Sequence, residues 1–383
     1  MTWGLSSLLF NLYLLSMGFD APFIGLNNTL RSVGSMICSL PAGLIADRIG
    51  RKRAMVIGLA GMTIAQLGVS IFTAGWLIAA SSALFGIVGS LFLISIAPFL
   101  TENSTDKERS TLFTLNSSLI NLVSFFVMTG GGYLPRVFAA LLHVTPSSGP
   151  AYRGAMLTSA CCLVLGMVPI LGLKDEGRSL RTRPVSRSVP HVWQSFSDPR
   201  LLIKLIIPRA LTAFGAGLIF PFINLFYRQQ FGVSDATLGW ILGITSATAA
   251  VVMLVGGGLA DRFGKIRAMF VARAISTPLL LIIGFVPYLP IAVAAHWIRS
   301  GFMRLGEPLY LAFAMEQLAK EERATGSSLM TLGWDAGWSA GPWASGLAQV
   351  QFGFGPLFAA TTAFYTLSLI SVYFFFIRRS KAG

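Results

Sequence analysis

Four ionisable residues fall within one apolar stretch of the sequence, at about 290–314: His296, Arg299, Arg304 and Glu307. With His296 at zero and about 100° of helical rotation per residue, Glu307 falls at about 20°, Arg304 at about 80° and Arg299 at about −60°. The four therefore share one side of a predicted helix, where a carboxyl or an imidazole can take up and release a proton. Because burying charge is costly, each of the four is a candidate functional residue.

Other apolar stretches contain further polar residues, namely Asp335, Arg31, Arg209, Arg273, Asn11 and Asn224. Arg273 lies about five residues from the end of its stretch, so its side chain is expected to reach the interface in a structural role. Arg31 and Arg209 fit cavity lining and pairing with helix ends equally well. Asn11 and Asn224 are candidate cavity residues, although an asparagine in such a helix more often bonds a neighbouring helix.

The composition indicates a membrane protein. Of the 383 residues, 54% are hydrophobic and 11% are charged, and the mean hydropathy is +0.70. A soluble globular chain carries about 25% charged residues, so this chain lacks the polar surface that water requires. The three cysteines, all in apolar stretches, exclude a disulfide framework and a four-thiolate metal site.

Twelve apolar stretches are long enough to cross a bilayer, which takes about 20 helical residues. They lie at about 2–18, 22–46, 54–73, 76–100, 111–135, 152–173, 201–227, 236–260, 268–287, 290–314, 325–349 and 356–377. The gaps between them are short except for two, at about 136–151 and at about 174–200. The second is rich in Arg, Ser and Pro, which predicts a flexible linker at 175–200. We therefore predict an all-α membrane protein, with six-helix bundles at 1–174 and 201–383.

The basic residues are concentrated on one side of the predicted membrane. Of the 29 Lys and Arg residues, 21 fall in the gaps after even-numbered spans or in the C-terminal tail, three in the opposite gaps and five within spans. Cytoplasmic loops are enriched in Lys and Arg, so both termini and the linker are predicted to be cytoplasmic in an inner membrane. The net charge of +14 is thus a topology signal, and nucleic acid is not expected as a partner.

The sequence also repeats itself at a constant offset of 214 residues. GLIADRIGRKRAM (43–55) aligns with GGLADRFGKIRAM (257–269), and the same offset pairs Glu102 with Glu316. Such gap-free agreement of loop charges indicates a duplicated six-helix unit. The alignment leaves the start of span seven without a counterpart, so we expect the given start to lie inside the first helix.

Twelve spans in two halves, with G-x-x-x-D-R-x-G-R-K after the second span, resemble the major facilitator superfamily. The residues that carry the resemblance are Gly43, Asp47, Arg48, Gly50, Arg51 and Arg53, and in the second copy Gly257, Asp261, Arg262, Gly264, Lys265 and Arg267. The resemblance implies two bundles related by an axis along the membrane normal, a substrate near the midplane and alternating access. It also implies that span ten lines the central cavity.

The glycines of this loop have two predicted uses. Gly43 and Gly257 would let neighbouring helices approach closely, and Gly50 and Gly264 would permit a tight turn.

The charges of the loop predict a latch between helices. Asp47 could lie against a helix N-terminus, where negative charge is favoured. Glu102 ends span four on the same side of the membrane, so it could pair with a basic residue of the first loop, and Glu316 could do so in the second copy. Such a latch would stabilise one access state. The alternative is a basic loop that only sets topology.

These features predict a secondary active transporter of a small solute, coupled to protons. The titratable groups available for coupling are Glu307, Asp335, His296 and Asp20. The alternatives are a passive facilitator of the same fold and, less favoured, a membrane sensor. An enzyme is not expected, because the sequence shows no catalytic metal cluster and no phosphate-binding loop or HExxH motif. No cofactor or metal is expected, and the predicted partners are the solute, protons and the lipid bilayer, with the chain acting as a monomer.

The sequence does not decide the direction of transport or the identity of the solute. TGGGYLP (129–135) keeps the glycines of the family's exporter motif without its Gly-Pro pair. Five intramembrane arginines against two carboxylates favour an anionic or zwitterionic solute, although pairing with helix ends explains the same count. Arg304 and Asp335 each lie about 15 Å above the loop at about 315–324. This shared depth predicts an ion pair between them and leaves Glu307 to titrate.

Overall fold

The computed structural model describes residues 2–173 and 196–378, so most of the predicted linker lies outside the described residues. Within helices it describes no side chain at 2–3, 106–107, 109–111, 114, 249–251, 253–261 and 324. All regular structure in the described ranges is helical, which confirms the all-α class.

Fourteen α-helices follow one another along the described parts of the chain. They are α1 (Thr2–Ser16), α2 (Ala21–Ile49), α3 (Arg51–Ile71), α4 (Gly75–Glu102), α5 (Asp106–Gly131), α6 (Leu134–Leu142), α7 (Gly149–Leu171), α8 (Pro199–Ile219), α9 (Ile223–Phe231), α10 (Asp235–Phe263), α11 (Lys265–Phe285), α12 (Leu289–Gln317), α13 (Arg323–Phe352) and α14 (Gly355–Val372). A 3₁₀ turn, Phe220–Phe222, joins α8 to α9, and a π-helical turn, Tyr373–Ile377, follows α14.

Helical structure covers each of the twelve predicted spans. Eight segments within the described residues are long and apolar enough to cross a membrane. They are Ala21–Ile49, Arg51–Ile71, Gly75–Glu102, Leu115–Leu142, Gly149–Leu171, Pro199–Phe231, Lys265–Phe285 and Gly355–Ile377. The chain is therefore a multi-pass membrane protein. The polar helix α12, which carries Arg299, Arg304 and Glu307, is not among the eight.

Two segments differ from the predicted spans. The predicted gap at 136–151 contains most of α6, because Pro135 in the first turn suits a new helix start just after α5 has ended. Span seven is interrupted at Phe220–Phe222, where Pro221 has no backbone N–H for the helical ladder.

The helix boundaries reproduce the internal repeat. α2 and α10 both have 29 residues, α3 and α11 both have 21, and each pair is offset by 214 residues at both ends. Gly50 and Gly264 separate these helices with φ angles of 93° and 79°, which non-glycine residues rarely adopt. These four helices agree with the predicted duplication, and the predicted tight turns are confirmed.

By internal packing the chain divides into two compact units. The first unit is Met1–Arg183 with Pro221–Gly243, and the second is Pro184–Phe220 with Ile244–Gly383. The first unit thus includes α9 and the start of α10, which follow the linker in sequence. The predicted bundle limits rest on the duplication and stay a prediction.

Each unit has an apolar core beneath a surface suited to lipid. Leu59, Met62 and Phe85 pack together in the first unit, and Leu205, Met269 and Tyr310 in the second. The Tyr310 hydroxyl donates to Leu205 O at 2.6 Å, so this buried phenol is satisfied. Many large apolar side chains outside the cores are exposed, as expected for helices that face lipid.

Candidate functional site

The carboxylate of Glu307 lies between two buried guanidiniums in the second unit. Arg209 Nη2 on α8 lies 2.8 Å from Glu307 Oε1, and Arg273 Nη2 on α11 lies 3.0 Å from Glu307 Oε2. Each carboxylate oxygen thus forms an ion pair with a different helix, and Oε2 also accepts a charge-assisted hydrogen bond from Arg273. Thr212 Oγ1 is 3.5 Å from Arg273 Nη1. We call Glu307, Arg209, Arg273 and Thr212 the Glu307 cluster.

The cluster is open only at its acidic member. The side chain of Glu307 is 30% exposed, whereas those of Arg209 and Arg273 are 9% and 4% exposed. Arg209 Nε and Nη1 and Arg273 Nε are buried without a hydrogen-bond partner. A group that approaches these arginines therefore meets the carboxylate first.

Prolines stand beside two members of the cluster. Pro208 precedes Arg209 in α8, and Pro308 follows Glu307 in α12. A proline inside a helix removes one backbone hydrogen bond and clashes with the preceding turn. The Pro208 carbonyl accepts side-chain hydrogen bonds from Thr212 at 2.9 Å and from Ser368 at 2.7 Å, and the latter ties α8 to α14 at this level.

The predicted ion pair of Arg304 with Asp335 is wrong. Among the described side chains no ion pair joins the two, and Arg304 is exposed. Packing gives the reason, because α12 packs mainly against α11 and α13 mainly against α8. Asp335 on α13 instead lies close enough to Arg209 to interact with it electrostatically.

The expected interfacial role of Arg273 is also wrong. Arg273 is 3% exposed, and its guanidinium binds Glu307 instead of reaching the interface. α11 and α12 are antiparallel neighbours in sequence, and Arg273 and Glu307 lie eight and ten residues from the ends that share a side. At about 1.5 Å per residue the two reach nearly the same depth, which makes pairing favourable.

Arg299 and His296 occupy a separate level of α12. Both are buried, and Arg299 Nη2 donates to the Tyr365 hydroxyl at 3.0 Å. The Arg299 guanidinium also lies 4.2 Å from the centroid of the Phe220 ring, a cation–π distance. The four residues predicted to share one face therefore separate into a buried pair, an exposed arginine and the Glu307 cluster.

An aromatic wall adjoins the cluster. The Arg209 guanidinium lies 5.6 Å from the Trp334 ring, and Trp334 stacks on Trp338 with ring centroids 6.4 Å apart and planes 12° apart. Trp334 is thus a natural reporter of events at Arg209.

Asn11 and Asn224 bond helices to one another in the first unit. Asn11 Nδ2 donates to Asn224 Oδ1 at 3.2 Å, and Asn224 Nδ2 donates to Leu8 O at 2.9 Å. Asn28 Nδ2 completes the group by donating to Asn11 Oδ1 at 3.1 Å. The bonds connect α1, α2 and α9, the structural role that asparagines usually have in such helices. A part for the two residues in transport stays a prediction.

The first unit also holds a charged triad that sequence reasoning missed. Arg228 at the end of α9 forms an ion pair with Asp235 at the start of α10. The Tyr152 hydroxyl on α7 lies 3.0 Å from both Asp235 carboxylate oxygens. Arg228 is one of the three basic residues that the sequence places in the opposite gaps, after odd-numbered spans. Only seven residues separate Arg228 from Asp235, so the pairing could have been anticipated.

The motif loops form the acidic–basic pairs that were predicted. Arg51 pairs with Asp47 one turn earlier, and Arg51 Nε lies 3.5 Å from Glu102 Oε1 on α4. Lys265 pairs with Glu316 in the second copy. The pairing of Glu102 and Glu316 with the two loops is confirmed, and the role of a latch stays a proposal.

Two details of the loops differ from expectation. No side chain caps the N-terminus of α3, so Asp47 acts through Arg51 and not through the helix end. A Cβ added to Gly43 would lie 3.8 Å from Ile94 Cγ2, an ordinary contact, so close helix approach does not require glycine there. The side chains at Gly257 and Asp261 lie outside the described residues.

The remaining basic residues of the loops differ in their contacts. Lys52 Nζ donates to Leu171 O at 2.8 Å and to Leu173 O at 2.5 Å, placing a cation at the C-terminus of α7, where it is favoured. The others are exposed, namely Arg48, Arg53, Arg262 and Arg267.

The family model of the Major Facilitator Superfamily matches residues 1–214 and 205–383, which together span the whole chain. The chain belongs to the Major Facilitator Superfamily. Proteins of this superfamily are membrane transporters and not enzymes.

Curated relatives of this superfamily member include proteins named Multidrug resistance protein MdtG. Those of Salmonella choleraesuis (strain SC-B67) and Citrobacter koseri are each 25% identical over 270 residues. The match covers 68% of this chain and 62% of each relative, so the chain spans less than two thirds of their length.

Solved structures of transporters share the fold of this superfamily member. A bacterial homologue of the human lysosomal transporter Spinster, inward-facing and occupied, superposes with a TM-score of 0.74 at 15% identity. The nucleoside transporter NupG gives 0.72 at 13%, and FucP in the outward conformation gives 0.65 at 14%. Each comparison covers 97% of this chain and 94% of the other.

The repeat contained a signal for the pairing of Arg273 with Glu307. At the offset of 214, these residues correspond to Leu59 and Leu93 in the first copy of the duplicated unit. An apolar pair on neighbouring helices is thus replaced by a cation and an anion. A paired departure from the repeat favours a role specific to the second half of the chain.

Proposed function

We propose that this protein is a secondary active transporter of a small solute, driven by proton movement through Glu307. The observation that carries the proposal is the position of this carboxylate between Arg209 and Arg273. Ionisable groups in membrane spans are costly and are retained for function. Glu307 is the partly exposed member of the cluster, so water can deliver a proton to it in at least one state.

The motif loops support alternating access between two states. Arg51 bridges Asp47 and Glu102 on the side of the membrane that holds most of the basic residues, and Lys265 pairs with Glu316 in the second copy. Because these pairs join helix ends, forming and breaking them can favour one access state. The positive-inside rule places this side, with both termini, in the cytoplasm of an inner membrane.

A passive facilitator of the same fold is the main alternative. In a facilitator the Glu307 cluster would serve structure only, and solute would equilibrate without moving protons. Drug efflux is a further candidate, because relatives carry the name multidrug resistance protein. A sensor that does not transport would bind solute without flux.

Proton movement in proteoliposomes tests the proposal. The full chain is reconstituted with the pH dye pyranine trapped inside, and uridine, L-fucose, ethidium or benzenesulfonate is added outside. A solute gradient is expected to move protons, and Glu307→Gln is expected to abolish that movement while solute exchange persists.

The control is Glu321→Gln, which neutralises an exposed loop carboxylate. It should transport as the wild type does. Solute that equilibrates while the internal pH stays constant would establish the facilitator, and accumulation that resists an uncoupler would exclude protons as the coupling ion.

A further inference from the structure

The membrane part of the second unit contains more positive than negative charge. Its buried arginines are Arg209, Arg273 and Arg299, and its carboxylates are Glu307 and Asp335. Among the described side chains, Glu307 is the carboxylate that forms ion pairs with both arginines of its cluster. Buried charges that lack full compensation are expensive, so this excess requires an explanation beyond packing.

The unpartnered atoms point in the same direction. Arg209 Nε and Nη1 and Arg273 Nε are buried donors with no acceptor in the described structure. A buried donor without a partner destabilises the folded protein. The cluster therefore lacks a negatively charged hydrogen-bond acceptor.

We propose that the Glu307 cluster binds a small organic monoanion, whose oxygens replace the Glu307 carboxylate on Arg209 and Arg273 when Glu307 takes up a proton. The proposal rests on the transport function and adds the charge class of the substrate. Two guanidiniums held by different helices suit a carboxylate or sulfonate, whose oxygens can accept from both.

The exposure of the cluster determines how the anion enters. Because only Glu307 is substantially open, a ligand must displace its carboxylate to reach the guanidiniums. A proton from water on Glu307 removes the competing negative charge. One proton and one monoanion then bind together, and the charge of the site does not change.

The other groups around Glu307 do not replace it in this role. Arg304 on the same helix is exposed. Tyr310 on α12 and Tyr365 on α14 interact electrostatically with Arg273, and phenols are neutral near pH 7. Asp335 on α13 faces Arg209 without an ion-pair contact, and it leaves Arg273 unbalanced.

The same arrangement disfavours a cationic substrate. A cation at the cluster would meet two guanidiniums, and the one carboxylate there is already bound by both. Like charges at such distances repel strongly in a partly buried site. A neutral solute gains nothing from the excess charge.

Binding of three matched aromatic probes tests the proposal on the detergent-purified full chain. Benzenesulfonate is an anion throughout pH 5 to 8, benzenesulfonamide is its neutral counterpart and benzylammonium is a cation. Tryptophan fluorescence, to which Trp334 beside Arg209 contributes, reports binding. We expect benzenesulfonate alone to bind, with a Kd that rises about tenfold per pH unit once Glu307 loses its proton.

Variants separate the site from its protonation. Glu307→Gln should bind benzenesulfonate with a Kd that is independent of pH, and Arg209→Gln should weaken binding at least tenfold. Arg200→Gln, an exposed arginine at the start of the same helix, is the matched control and should bind as the wild type does. The wild type at low pH reproduces the protonated state if Glu307→Gln fails to fold.

The outcomes distinguish this proposal from the transport function. Equal binding of benzenesulfonamide, absence of benzenesulfonate binding at pH 5, or binding unchanged in Arg209→Gln would each overturn the anion site. Proton movement driven only by uridine, L-fucose or ethidium would uphold proton-coupled transport and refute the anion. Benzenesulfonate binding that requires the proton, without any solute-driven flux, would uphold the site and refute transport.

Discussion

Arg51 Nε lies 3.5 Å from Glu102 Oε1, so the start of α3 and the end of α4 are joined by an ion pair. Arg51 also pairs with Asp47 at the end of α2. One guanidinium thus connects three helix ends at one side of the first unit. The second copy keeps the Lys265–Glu316 pair at the corresponding positions.

Removing this connection should slow transport more than it affects folding. Glu102→Gln is expected to reduce solute-driven proton flux several-fold, because the pair would no longer stabilise one access state. The loss of stability should stay at about 0.2–1 kcal/mol, since the carboxylates are partly exposed and screened. Flux in proteoliposomes and the Tm measure the two effects. A normal transport rate in both Glu102→Gln and Asp47→Asn would show that the loop only sets the membrane topology.

Within the Glu307 cluster, loss of the carboxylate should destabilise the fold most. Glu307→Gln leaves two buried guanidiniums without a counter-charge, and breaking a buried pair costs about 3–5 kcal/mol. Arg209→Gln or Arg273→Gln leaves one complete pair and should cost less. Thermal unfolding of the three purified variants gives the order, with Arg200→Gln as the matched control. A lower Tm for Arg209→Gln than for Glu307→Gln would contradict the arrangement.

Double-mutant coupling energies should distinguish the observed ion pair of Arg209 with Glu307 from the wrongly predicted pair of Arg304 with Asp335. A double-mutant cycle on Arg209 and Glu307 is expected to give a coupling of about 1–3 kcal/mol, as residues in direct contact do. The cycle on Arg304 and Asp335 should be additive within about 0.5 kcal/mol. Denaturant unfolding of the four chains in each cycle provides the values. Strong coupling in the second cycle would restore the discarded pair.

Glu322 should make the stability of the second unit depend on pH. The Ser197 hydroxyl and backbone N–H donate to its carboxylate at 2.7 and 2.6 Å, and these bonds lower the pKa of Glu322. A carboxyl whose pKa is lower in the folded state adds stability above its unfolded pKa of about 4.3. That stability is lost as the pH falls through the folded value.

Accordingly, Glu322→Gln should lower the Tm at pH 7, and the difference from the wild type should shrink below about pH 4. The neighbouring Glu321→Gln is the control, with little difference from the wild type expected at either pH. A difference for Glu322→Gln that is the same at both pH values would show that the hydrogen bonds add no pH-dependent stability.

The fold could be predicted from the sequence because membrane helices are specified locally. A bilayer requires long apolar helices. The offset of 214 residues then identifies α10 as the counterpart of α2 in the second copy, and α11 as the counterpart of α3. The turns at Gly50 and Gly264 could be predicted for the same reason, since a positive φ is a local requirement.

The partners within the site were less accessible to sequence reasoning. Residues at equal depth in the membrane can meet only if their helices pack together. The predicted pair of Arg304 and Asp335 assumed this of α12 and α13, which pack mainly against other helices. Arg273 was set aside because a long side chain near a helix end can reach water. What decided its position was the carboxylate of Glu307 on α12, a tertiary contact that no single helix reveals.

The membership of Pro221–Gly243 in the first unit bears on how the two halves of the gene could function separately. A polypeptide that stops at the linker lacks Asn224 and Asp235, which bind Asn11 and Tyr152 in the intact chain. Expressed alone, it would lose the bonds of the Asn11 amide nitrogen and the Tyr152 hydroxyl to these residues and should be degraded. Two fragments produced together could restore the contacts by complementation, so each half depends on the other for its maturation.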